Sequence, residues 1–92
     1  MIFLMTGMLK AGVRAISQDI QQLTNDFIGQ PLVAIRTAGE LLNDAGDRVG
    51  MMLLVELDDR AAADQFMRDS PYFQADLYED VRIFDFRPEV GW

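Results

Sequence analysis

The sequence predicts an α+β fold in which an antiparallel sheet carries two helices on one face. Short apolar runs typical of strands alternate with two segments whose apolar residues have helical spacing. Their order along the chain is strand, helix, strand, strand, helix, strand. A chain of 92 residues is long enough for one hydrophobic core and too short for two. We therefore expect a single domain over residues 1–92.

The first half of this pattern contains a strand and a helix. Residues 1–9 are an apolar run that ends before Gly12, which indicates a buried strand. From Arg14 onwards, apolar residues recur at helical spacing, and Gly29 and Pro31 end that segment. The inward stripe of this first helix is predicted to consist of Ile16, Ile20, Leu23 and Phe27.

Two strands joined by a hairpin are predicted next. Residues 32–42 form the second strand, residues 43–47 (Asn-Asp-Ala-Gly-Asp) the turn, and residues 49–57 the third strand. Alternation within the second strand predicts one face made of Val33, Ile35, Thr37 and Leu41. The same alternation predicts that Arg36 and Glu40 form a pair on one face.

The last elements are a helix and a strand. Asp58 and Asp59 are suited to cap a second helix that runs to about Arg68, before the break at Ser70-Pro71. Residues 72–78 are predicted to form one helical turn or a loop, and residues 81–86 the fourth strand. The inward residues of the second helix are Ala62, Ala63, Phe66 and Met67. The complete order is the split βαβ arrangement of ferredoxin-like domains.

Charge and residue usage limit the chemistry and the partners. Eight basic against fifteen acidic residues give a net charge of −7, which argues against nucleic acid and anionic membranes as partners. With no cysteine and no histidine, the chain lacks thiolate nucleophiles, the commonest general base and the commonest metal ligands. Its aspartates do not follow a calcium-loop pattern. We expect no metal and no cofactor, and the absence of a leader pattern predicts a cytoplasmic location.

The two central strands are apolar on both faces, which predicts a homodimer. Ile2, Leu4 and Met8 share one face of the first strand, and Met52 and Leu54 share one face of the third. Two helices cover only one side of the sheet, so the other side would expose a large apolar patch. A second copy packed sheet to sheet would cover it. The alternative is that long side chains and the C-terminal tail with Trp92 do so.

The second half of the chain resembles the YCII-related (YciI-like) family. The resemblance is carried by the third strand (residues 50–59), the second helix (61–66), the family's "DPY…AGLYE" stretch (69–72 and 75–79) and the closing strand (81–84). It implies a ferredoxin-like fold of the dimeric α+β barrel superfamily, which agrees with the predicted homodimer. It also implies a His–Asp pair in a pocket beside the dimer interface. One branch of the family is linked to dehalogenation or ring cleavage of aromatic compounds.

The sequence departs from the family at that pair. The family aspartate falls on Ser70, with Asp69 one step earlier, and the family histidine falls on Ser17 if Arg14 is the arginine that precedes it. Candidate ligand-binding residues are therefore Ser70, Tyr72, Arg14, Asp69 and Ser17. Tyr72 corresponds to the family's pocket tyrosine, and Arg14 is a suitable counter-charge for a carboxylate. Four of them have a structural alternative: a helix end for Ser70, a solvated Asp69, an anchoring Tyr72 and a surface ion pair for Arg14.

Three functions remain open from the sequence. The first is a YciI-like domain that binds a small organic molecule and lacks the His–Asp chemistry. The second is an enzyme of the dimeric α+β barrel type, hydrolytic or isomerising, that acts on a small organic acid or an aromatic-pathway intermediate through Ser70, Tyr72 and Asp69. The third is a structural or assembly subunit without a ligand. The absence of histidine favours the first and the third.

Overall fold

The computed structural model describes residues 1–13 and 15–91. Its elements follow the predicted order, and a short helix lies where one helical turn or a loop is predicted. In chain order they are β1 (Ile2–Leu9), α1 (Gln18–Ile28), β2 (Ala34–Leu42), β3 (Arg48–Glu56), α2 (Arg60–Asp69), α3 (Pro71–Gln74) and β4 (Tyr78–Asp85). None of the helices in the described ranges is long and apolar enough to cross a membrane.

The four strands form one antiparallel sheet in the order β2-β3-β1-β4. β1 and β3 are central, as predicted, and Leu4 lies opposite Leu54 on one side and Phe84 on the other. The β2–β3 hairpin has the predicted turn, in which the Asn43 side chain accepts hydrogen bonds from the backbone N–H groups of Ala45 and Asp47. Gly46 adopts a φ of +85° there, which glycine tolerates without strain.

The core lies between the sheet and the two longer helices. Phe3, Met5, Leu53 and Val55 point from the sheet to this side, where α2 contributes the buried residues Ala63, Phe66 and Met67. α1 packs on the same side, and the rings of Phe27 and Phe66 lie 4.6 Å apart. The Asp59 side chain caps α2 by accepting from the Ala62 N–H at 2.8 Å. The prediction of both helices on one face is confirmed.

The inward face of α1 differs from the predicted stripe. Leu23 is 57 % exposed, whereas Thr24 is buried and is only 5 % exposed. The helix begins four residues after Arg14, with Ser17 as its N-cap, and Ile20, Thr24, Phe27 and Ile28 turn towards the core. Thr24 is accommodated because its hydroxyl donates to the Ile20 carbonyl at 2.8 Å.

β2 also departs from simple alternation, because its pairing with β3 shifts between Ile35 and Thr37. An extra residue in a strand moves the residues after it to the other face. Ile35 therefore faces the helices, whereas Thr37 lies opposite Leu54 on the open face. The predicted grouping of Val33, Ile35, Thr37 and Leu41 on one face is wrong for this reason.

The predicted Arg36–Glu40 pair is also wrong. Arg36 instead donates through Nε to Glu56 at 2.9 Å, and Glu40 forms an ion pair with Arg48. Both ion pairs thus connect β2 to β3, but they lie on opposite faces of the sheet. Glu40 lies opposite Met51 on the helix side, and Glu56 lies opposite Ile2 on the open face. The shift in β2 separates the two residues that strict alternation would place together.

The open face of the sheet is apolar, as predicted. Ile2, Leu4, Met8 and Met52 are half-buried, and Phe84 is 47 % exposed. Leu54 is only 6 % exposed, and it lies in a groove of about 690 Å³ that Phe86, Val90 and Gly91 of the C-terminal segment also line. Part of this face is thus bordered by the tail. The predicted role of Trp92 lies outside the described residues.

Candidate functional site

The segment between α2 and α3 buries Ser70. This residue is 5 % exposed, and its hydroxyl donates to the Met67 carbonyl at 2.6 Å. Pro71 follows at the first position of α3, where its missing N–H has no helical partner to lose. Because the Ser70 hydroxyl donates its proton to a carbonyl at the end of α2, it can only accept a hydrogen bond from a ligand.

Tyr72 is the most deeply buried polar side chain of this region. It is 2 % exposed and packs against Leu9 and Met51, with its ring 5.8 Å from the ring of Tyr78. Its hydroxyl oxygen accepts a hydrogen bond of 2.7 Å from Nη1 of Arg48. A buried tyrosine hydroxyl requires such a partner, since leaving it unpaired costs about 1–3 kcal/mol.

Arg48 is held in turn by Glu40, so the three side chains form a chain from β2 through β3 to α3. The sequence analysis missed Arg48. One signal was present, because Arg48 is a charged residue that directly precedes an apolar run predicted to be a central strand. Its partner could not be predicted, since the pairing of Arg48 and Tyr72 spans 24 residues.

Burial raises the pKa of Tyr72 above its usual value of 10.0, and the Arg48 charge and hydrogen bond oppose that rise. Burial also raises the pKa of Tyr78, and proximity to Tyr72 adds to the effect. Both phenols are therefore neutral at pH 7 and are hydrogen-bond donors. In residues 1–13 and 15–91, the Tyr72 hydroxyl accepts from Arg48 but no group accepts its proton.

A small cavity lies between α1 and the turn that carries Ser70 and Tyr72. Its volume is about 10 Å³, roughly the room that one water molecule requires. A small organic molecule could enter only if α1 or the turn moved. The cavity is lined by Thr24, Phe27, Ile28, Met51, Leu53, Ser70, Pro71, Tyr72 and Tyr78.

A larger space lies beside it, between the end of β1 and the start of β3. Its volume is about 170 Å³, and its lining includes Leu9, Lys10, Val13, Asp47 and Arg48. The Tyr72 ring lines the small cavity, while its hydroxyl reaches the arginine that lines the larger one. The hydrogen bond between Arg48 and Tyr72 thus links the linings of the two spaces.

The structure brings together two of the five candidate residues, Ser70 and Tyr72. Asp69 is exposed and accepts from Gln65 Nε2 at 2.8 Å. Ser17 is exposed, and its hydroxyl oxygen caps α1 by accepting from the Ile20 N–H at 3.3 Å. Arg14 lies outside the described residues. In the part of the chain that the structure describes, no three acidic side chains gather into a metal-binding group.

Gly7 is a second residue of the site that the sequence analysis missed. A Cβ atom at this position on β1 would overlap the ring of Tyr78. The absence of a side chain allows that ring to lie across the central strand and beside Tyr72. Gly7 therefore shapes the wall of the small cavity, although it donates no polar group to it.

The solved structures most similar to this one include two Burkholderia proteins. One is 5-chloro-2-hydroxyhydroquinone dehydrochlorinase of Burkholderia phenoliruptrix in complex with 2,5-dihydroxybenzoquinone, with a TM-score of 0.82 and 18 % identity over 95 % of this chain and 94 % of that one. The other is an uncharacterized NIPSNAP domain protein of Burkholderia xenovorans, with a TM-score of 0.51 and 20 % identity over 96 % of this chain and 93 % of that one.

The first likeness shows that the two chains share a fold. Among proteins of curated function, none matches the chain. The model of the YCII-related domain matches residues 7–87, which include the end of β1, the other three strands and all three helices. The chain therefore belongs to the YCII-related domain family.

Proposed function

We propose that the protein is a homodimeric YciI-like domain that binds a small organic molecule at Tyr72. The observation that carries this proposal is the Tyr72 hydroxyl. It is buried, neutral and fixed by Arg48, and it retains a proton that no described group accepts. A donor prepared in this way is typical of a site that fixes the orientation of a ligand.

The structural neighbour supports a small aromatic or quinoid compound as the ligand class. That protein is a dehydrochlorinase, and its structure contains 2,5-dihydroxybenzoquinone. Met51, Phe27 and Tyr78 give this chain an apolar and aromatic lining around the Tyr72 hydroxyl, which suits a flat ring. The ligand would occupy the space beside Arg48 and enter the small cavity when α1 moves away from the Ser70–Tyr72 turn.

The residues at the site favour binding of a ligand without the acid–base chemistry of the family's His–Asp pair. The chain has no histidine, and Ser70 occupies the position of the family aspartate, where its proton is bound to Met67. Ser70 would accept from a ligand hydroxyl, and Arg14 is the proposed counter-charge for an acidic group of a ligand. Asp69 and Ser17 would act at the edge of the site, since both are exposed.

The second candidate function is a hydrolytic or isomerising enzyme that uses Tyr72 as its acid. The observation in its favour is the same neutral phenol beside a guanidinium, because a positive charge stabilises the phenolate left after proton transfer. The two functions differ in turnover. An enzyme would change the bound compound, whereas a binding domain would release it unchanged.

The open sheet face is proposed as the homodimer interface. It carries Ile2, Leu4, Met8 and Met52 from the two central strands, together with the exposed ring of Phe84. Pairing two copies through this face would bury apolar surface, worth about 25 cal/mol for each Å². The helix side, which holds Tyr72, would remain accessible in such a dimer.

The test is calorimetric titration of hydroquinone, which is uncharged at pH 7, into the wild type, Tyr72→Phe and Ser70→Ala. Tyr72→Phe should weaken binding by about 3- to 10-fold, the value of one hydrogen bond. Gln22→Ala on the exposed face of α1 is the control and should bind as the wild type does. Equal affinity in wild type and Tyr72→Phe would contradict the site. No binding at all would favour the structural or assembly subunit.

A further inference from the structure

We propose that Arg48 and Tyr72 together recognise an uncharged carbonyl oxygen of the ligand, in preference to a carboxylate. This inference rests on the proposed function, since it names the chemical group that the same site takes. It adds Arg48 as a binding residue and Glu40 as the residue that positions it. Neither is among the residues that the sequence singles out for the site.

Two donors lie next to each other beside the 170 Å³ space. Arg48 lines this space, and the Tyr72 hydroxyl accepts from its Nη1 atom at 2.7 Å and keeps its own proton for another acceptor. A guanidinium has five N–H donors, and the bonds to Tyr72 and Glu40 use only part of them. The Arg48 side chain is 26 % exposed, so its other donors are within reach of solvent or a ligand. An oxygen with two lone pairs can accept from both residues at once.

Among the described residues, both positive charges near this oxygen site are paired with a carboxylate. The Arg48 charge is balanced by Glu40 from β2, and Lys10 after β1 is balanced by Asp76 before β4, at 2.8 Å. Asp47 of the hairpin lines the same space and adds a negative charge. A carboxylate would compete with Glu40 for Arg48 and would meet Asp47, whereas a carbonyl accepts the same hydrogen bonds without that repulsion.

The size of the space limits the rest of the ligand. An engineered apolar cavity of about 150 Å³ binds benzene, so 170 Å³ holds a single six-membered ring. Leu9 and Val13 give this space an apolar wall against which such a ring can pack. The predicted ligand is therefore a small cyclic or aromatic compound with a ketone, quinone or ester carbonyl.

The experiment compares two probes of equal shape, 4-hydroxyacetophenone and 4-hydroxybenzoate, by calorimetry at pH 7. The wild type should bind the ketone about tenfold more tightly than the carboxylate, because the carboxylate meets the Asp47 charge and competes with Glu40 for Arg48. Arg48→Met should lose about tenfold in affinity for the ketone, and Arg48→Lys should lose less because it keeps a donor. Glu40→Gln should shift the preference towards the carboxylate, since it leaves the Arg48 charge unbalanced.

Three results would overturn the inference. They are tighter binding of 4-hydroxybenzoate by the wild type, unchanged ketone affinity in Arg48→Met, and no binding of either probe. If the carboxylate binds more tightly and Arg14→Met abolishes that binding, the counter-charge is Arg14 and not Arg48. The proposed function would survive this result, because binding of hydroquinone, which has no carbonyl group, tests it separately through its dependence on Tyr72.

Discussion

Replacing Gly7 by alanine should destabilise the protein, because the new methyl group would overlap the ring of Tyr78. That ring cannot move far without disturbing Tyr72, whose ring is 5.8 Å away and whose hydroxyl is tied to Arg48. Overpacking of this kind costs about 1–3 kcal/mol. In a domain of this size, 1 kcal/mol shifts the melting temperature by about 4–8 °C.

The assay is urea denaturation at one fixed protein concentration, read by circular dichroism. Gly39→Ala in β2 is the matched control, because a Cβ atom there meets no atom within 4 Å. Tyr78→Leu removes the ring, so Gly7→Ala should cost much less in that background than in the wild type. If Gly7→Ala is as stable as Gly39→Ala, or if Tyr78→Leu does not reduce its cost, the described packing of Tyr78 on β1 is wrong.

Three further outcomes are expected. Because folding raises the pKa of Tyr72 and Tyr78, the stability that these neutral phenols contribute should be complete below pH 10 and should fall as pH rises above it. The urea midpoint should fall less with rising pH in Tyr78→Phe than in the wild type. A wild-type midpoint that does not change with pH would contradict the burial of the two phenols. In light scattering the wild type should be a dimer and Met52→Lys a monomer, because the substitution places a charge in a desolvated interface. A wild type that is monomeric at micromolar concentration would refute the proposed interface. Asp59→Ala should lower the free energy of unfolding by about 1 kcal/mol through loss of the α2 cap, whereas Asp58→Ala should not.

The element order and the central position of β1 and β3 could be predicted because apolar runs, caps and turn residues are local signals. Asp59 caps α2, and Asn43 and Gly46 form the hairpin turn, as their sequence context indicates. β4 begins at Tyr78, earlier than predicted, because pairing with β1 extends it beyond its apolar residues. Strand ends are set by their partners, which the sequence does not show.

The details of the site depended on contacts that are distant in the sequence. The buried position of Thr24 follows from where α1 begins, and the faces of Thr37 and Arg36 follow from the shift in β2. Arg48 reaches Tyr72 across 24 residues, and only the folded sheet brings them together. The family resemblance indicated Ser70 and Tyr72, which do lie at one cavity.

The most direct test of the account is a crystal structure of the protein soaked with 4-hydroxyacetophenone. The account predicts the compound on the helix side of the sheet, with one oxygen within hydrogen-bond distance of both the Tyr72 hydroxyl and the Arg48 guanidinium. A compound bound on the open sheet face, or a Tyr72 hydroxyl that makes no contact with it, would contradict the central claim.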